Sequence, residues 1–178
     1  ATVTANGGII IGNLAGSSVA PSGNDTVAIG TNAGFNAQGA NSIAVGKSAG
    51  STSQSSDAIA VGVDAGGANQ GVYAVAVGDS AGQTQQQLGS IAIGRLSGAQ
   101  SQQQNAIAIG QNAGQTNQNQ FAIAIGGVAG AFTQGDSSVA IGYQAGQTSQ
   151  SEFCVAVGRT AGSTGQQDFS VAVGYLAG

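Results

Sequence analysis

A glycine returns every sixteen residues from Gly30 to Gly174, each time directly after an apolar-Ala-apolar triplet such as Ile107-Ala108-Ile109. A second glycine follows four residues later, from Gly34 to Gly178. A glutamine keeps the same beat at Gln38, Gln54, Gln70, Gln86, Gln102, Gln118, Gln134, Gln150 and Gln166. One earlier copy, around Gly12 and Gly16, is offset by eighteen residues and so carries a two-residue insertion. A short fixed period of this kind means one supersecondary unit stacked along an axis. Residues 1–23 are therefore expected to form an irregular first coil, and residues 24–178 a continuous repeat that counts as a single domain.

Sixteen residues are too few for a helix, a strand and their connections, and this density of glycine disfavours helix. Two short strands and two turns per repeat fit. The triplet suits a strand, because Val and Ile at alternate positions point to one face and the alanine between them to the other. The expected fold is all-β: a parallel β-solenoid, or β-roll, of about eleven sixteen-residue coils. At strand spacing that is a rod of about 50 Å.

Each column of the repeat carries its own expectation. The Val/Ile columns are expected to fill the interior. The alanines Ala28, Ala44, Ala60, Ala76, Ala92, Ala108, Ala124, Ala140, Ala156 and Ala172 would then face away from it. A solvated face would drift among Thr, Lys, Glu and Ser, so an unvarying alanine column implies a close-packed surface, read as packing against a neighbouring chain. The alanine before the second glycine should point inward again. Both glycine columns are assigned to corners where a positive φ or close coil stacking excludes a β-carbon. The glutamines are expected to form an amide ladder along the rod, satisfying polar groups without charge and fixing register. Tyr73, Phe121, Phe153 and Phe169 share one column and are too large for so narrow an interior.

Composition removes whole classes of function. Only 6% of residues are charged, with a net charge of −4 and no histidine. No basic footprint exists for nucleic acid, and no apolar run is long enough to cross a bilayer. The acids Asp25, Asp57, Asp64, Asp79, Asp136, Glu152 and Asp168 scatter over different columns, mostly in turns, with no base or paired carboxylate to work with. The single Cys154 occupies a column of Ser and Ala and reads as a small side chain in a small site. No zinc spacing, calcium nonapeptide or phosphate loop occurs, so no metal, no cofactor and no enzymatic activity is expected. Asn24-Asp25-Thr26 is the one glycosylation sequon. The absence of methionine suggests a processed chain or a segment of a longer one.

Runs such as Ser42-Ile43-Ala44-Val45-Gly46 and Ser138-Val139-Ala140-Ile141-Gly142 resemble the head repeats of trimeric autotransporter adhesins and related phage and viral tail-fibre repeats. The resemblance covers residues 9–178, and departs from the adhesin pattern in its longer sixteen-residue period and its glutamine column. It implies a left-handed β-roll, three chains side by side as a homotrimer, on a cell or virion surface. The function it implies is that of a spacer or adhesive shaft in attachment, its partners being its own copies and a surface glycan or receptor. A self-assembling extracellular filament, with coils stacked end to end, is the alternative. Ice binding is a third reading, for which Thr52, Thr84, Thr116, Thr148 and Thr164 would have to form a regular array. Asn36, Ala68, Gln100 and Phe132 interrupt it.

Overall fold

A computed structural model describes residues 2–3, 7–17 and 25–178, the first two in their backbone only. The sequon's Asn24 and much of the 1–23 segment lie outside the described residues. What is described is a β-solenoid without helix. Each regular coil contributes two three-residue strands, for example Ile107–Ile109 and Thr116–Gln118. The triplet strands build a long sheet and the glutamine-ending strands an eight-stranded second sheet, extended by a bridge between Thr148 and Thr164.

Every pairing between consecutive coils is parallel and in register: Ile91 pairs with Ile107, Ala92 with Ala108, Ile93 with Ile109. In the second sheet only alternate residues pair, Gln86 with Gln102 and Thr84 with Gln100. The residue between them is left-handed, as at Gln85 (φ 56) and Ser101 (φ 54), and points outward. The eighteen-residue offset is absorbed without loss of register, since Ile9 pairs with Val27 and Ile11 with Ile29. Beyond Ile9–Ile11 the ladder is closed by Thr2–Val3, which pairs antiparallel. That strand covers the edge of Ile9–Ile11 in the long sheet.

The interior differs from the sequence expectation. The alanines of the triplets, from Ala28 to Ala156, are wholly buried, and Ala172 nearly so. They form the core with the second alanine column, Ala33 to Ala161. The Val and Ile residues on either side of them lie half-buried or exposed on the outer face of the long sheet. The two faces expected from the sequence are therefore reversed, and Ala28, Ala44, Ala60, Ala76, Ala92, Ala108, Ala124, Ala140, Ala156 and Ala172 face the coil's own interior rather than a neighbouring chain. The physical reason is width. Two three-residue strands joined by tight turns leave room between the sheets for methyl groups and one flat amide, and for nothing branched.

That flat amide belongs to the glutamine column, buried from Gln38 to Gln166. The two glycine columns follow from the same crowding. A β-carbon on Gly110 would lie 2.6 Å from the carbonyl oxygen of Gly126 in the next coil. The first coil breaks the alanine rule with Ile10, which packs on the end of the core where no further coil competes for the space.

Candidate functional site

The candidate functional features are the surfaces of the rod. Among the described residues no three His, Cys, Asp or Glu side chains come together to hold a metal ion. Cys154 is buried, its Sγ 2.8 Å from the carbonyl oxygen of Gln167. Its counterparts in the column bond within their own coil instead: Ser42, Ser90 and Ser138 each donate to the carbonyl three residues earlier, at 2.6–2.7 Å.

The glutamines are bound chiefly to backbone. Gln102 Nε2 donates to the carbonyl oxygens of Ile91 at 2.8 Å and Ala106 at 3.1 Å, both within its own coil. The pattern recurs from Gln38 to Gln166. Bonds from amide to amide are added in the second half of the rod. Gln86 reaches Gln102 Oε1 at 3.3 Å, Gln102 reaches Gln118 at 3.1 Å, Gln118 reaches Gln134 at 3.2 Å and Gln150 reaches Gln166 at 3.1 Å. The Oε1 atoms of Gln54 and Gln70, and of the donors Gln86 and Gln150, are buried without a partner. Closing the coil around its own carbonyls is therefore the column's first role, and linking coils its second. The column's burial leaves no side-chain surface for a ligand stripe.

Three surfaces remain. The outer face of the long sheet presents two columns of Val and Ile, running from Ile9 and Ile11 to Val171 and Val173 without one polar interruption. The second sheet presents a polar face from the left-handed column, including Asn69, Gln85, Ser101 and Asn117. Its side chains link across coils, with Ser101 Oγ donating to Gln85 Oε1 at 3.2 Å. The threonines on this sheet are not a free array: Thr84 and Thr116 donate their hydroxyls to the carbonyls of Ala99 and Ala131 at 3.1 Å. The third surface is the pair of edges flanking the long sheet. On one side Phe153 stacks on Phe169, with ring centroids 5.2 Å apart and planes 7° from parallel. On the other side Arg159 lies between Tyr143 and Tyr175, 5.9 Å and 5.7 Å from their ring centroids.

Sequence reasoning missed the Val/Ile face. A signal for it was present. The alanine never varies, as a filled core demands, while Val and Ile exchange freely from coil to coil, as a looser surface allows.

The family described as YadA head domain repeat matches residues 17–33, 22–49, 87–113 and 119–145. No curated protein and no solved structure gives a significant match. The matched segments share one period and one register with the coils between them. The chain is a β-solenoid rod that is similar, over those segments, to the YadA head domain repeat.

Proposed function

We propose that three copies of this chain lie side by side, with their Val/Ile faces turned to a common axis, as the shaft of a surface-exposed adhesive fibre. The observation that carries this reading is the outer face of the long sheet. Eleven parallel strands each place two Val or Ile side chains there, over a length of about 48 Å at strand spacing. Soluble monomers rarely expose a contiguous apolar surface of this kind, and such patches mark interfaces. Interleaved charges, the usual protection of an exposed sheet, are absent from these two columns. The family likeness supports the homotrimer, the left-handed coil and the placement outside the cell.

In that arrangement the polar face of the second sheet points outward along the whole shaft. Shallow grooves there are lined by Asn69, Gln85 and Ser101 and, further along, by Thr133, Ser149 and Glu152. Amides and hydroxyls repeated at coil spacing suit weak, many-fold contact with a glycan or another polar surface, which gains strength through avidity. The role is mechanical and adhesive rather than enzymatic.

Absolute mass in solution tests the reading. Light scattering on a sizing column should give three times 16.9 kDa. A monodisperse monomer at micromolar concentration would remove the fibre reading and turn attention to a solitary solenoid.

A further inference from the structure

The long sheet has two edges, and they differ in chemistry. In every coil one edge residue stands two positions before the triplet and the other two positions after it, as Phe153 and Arg159 stand around Val155–Val157. The three-residue strand Val155–Val157, about 10 Å long, lies between them, with a turn at each end, so they stand on opposite flanks of one chain. Rotation about a threefold axis brings the first edge of each protomer against the second edge of the next. A closed ring adds no axial shift, so rods parallel to the axis meet coil by coil.

Read at equal height, small residues stand opposite large ones in some coils: Gly89 faces Arg95, Phe121 faces Gly127 and Ser137 faces Tyr143. In the last two coils both sides are large: Phe153 faces Arg159 and Phe169 faces Tyr175. These groups are already ordered as stacks within the chain. Phe153, in a coil with neighbours on both sides, is still 49% exposed. Phe121, Phe153 and Phe169 also hold left-handed backbone, with φ of 56°, 57° and 59°. A bulky side chain is costly there, whereas the Asn, Asp and Gly found elsewhere in the column accept it. Nothing in the single chain rewards that cost beyond one ring stack.

We propose that this edge is an inter-chain clamp: Phe153 and Phe169 of one protomer pack against Arg159 and Tyr175 of the next, locking these coils together and setting the trimer's register. The occupant is a second copy of this chain, and the clamp is continuous with the Val/Ile face on which the trimer reading rests. Ring-on-ring and guanidinium-on-ring contacts across the boundary supply directional attraction that the Val/Ile face lacks.

The test uses the full chain with C154S to remove the native thiol, a change to the serine found at the same position in other coils. Into it go F153C and R159C together, followed by a short bis-maleimide crosslinker and denaturing electrophoresis, with light scattering on the uncrosslinked protein. The expected result is a trimer by mass and covalent trimer on the gel, since the two cysteines of one chain are out of the linker's reach. A trimer by mass with no covalent product overturns the clamp and leaves the trimer standing. A monomer by mass for C154S itself removes both readings. As a second measurement, F153A with F169A should raise the concentration for half-dissociation at least tenfold, with the circular-dichroism spectrum unchanged; an unchanged dissociation midpoint also overturns the clamp.

Discussion

Gly66 lies so close beneath the amide of Gln70 that a β-carbon on it would sit 2.6 Å from Gln70 Oε1 and 3.2 Å from the Ala60 methyl. This contact recurs along the rod, at Gly114 with Gln118 and at Gly146 with Gln150. It explains why the second glycine and the glutamine keep the same spacing. The amide occupies the space that a side chain on the glycine would need.

Replacing Gly114 with alanine should therefore destabilise the rod by about 2–4 kcal/mol. The new methyl meets Gln118 and Ala108, and the residue must hold a φ of 50°. Urea unfolding followed by circular dichroism measures the change. A loss below about 1 kcal/mol would mean that the amide swings aside at little cost.

Gln102→Leu preserves bulk but removes the donor shared by the carbonyls of Ile91 and Ala106. The Ala106 carbonyl keeps its bond from the Ile91 N–H at 2.9 Å; what is lost is its second bond, the bond to Ile91 O and the link to Gln118 Oε1, each worth about 0.5–1.5 kcal/mol. The expected loss is about 2–4 kcal/mol, with hydrogen exchange rising first at the strands around Ile91–Ile93 and Ile107–Ile109. Gln102→Glu should do at least as much harm at neutral pH, because it buries a charge.

Ala108 and Ile107 are neighbours in sequence and opposite in role. Ala108→Val adds two methyl groups to a filled core and should cost about 1–3 kcal/mol in the single coil stack. Ile107→Asp with Ile109→Asp changes only the outer face. It should leave the β-sheet spectrum intact and abolish association by light scattering. If instead the alanine variant dissociates the assembly and the aspartates do not, the orientation of the faces is wrong.

Val128 holds a φ of 61°, a left-handed conformation that a β-branched residue resists. Asn32 and Asn112 occupy the same place in other coils, at 57° and 56°. Val128→Asn should therefore stabilise by up to about 1 kcal/mol, read as a higher urea midpoint, because asparagine tolerates this region; the Oδ1 atoms of Asn32 and Asn112 are buried without a hydrogen-bond partner, so backbone tolerance alone supplies the gain. A destabilised variant would mean that the valine makes a contact outweighing its strain.

Much of the architecture was legible in the period alone. The sixteen-residue spacing specified parallel strands in register, and Ile91 opposite Ile107 is the direct consequence. The inward direction of Ala33, Ala49 and Ala65 was legible too, as was the exclusion of the Phe121 and Phe153 rings from the interior. The direction of the triplet was not. Alternation separates Ala108 from Ile107 and Ile109, but period two carries no information about which face is inside. General hydrophobicity favours burying the isoleucines, and here it misleads because burial was limited by width rather than by apolar surface.

By itself, then, the chain's sequence determined that it is a parallel coil of fixed pitch and that its glycines sit where β-carbons are excluded. Those properties follow from local backbone preference and from side-chain chemistry, both of which are written residue by residue. Only the tertiary structure decided that Ala92 and Gln102 fill the core while Ile91 and Ile93 face outward. That choice depends on the distance between two sheets, a quantity no single repeat contains. It appears only when turns, carbonyls and amides of one coil close around the same narrow space.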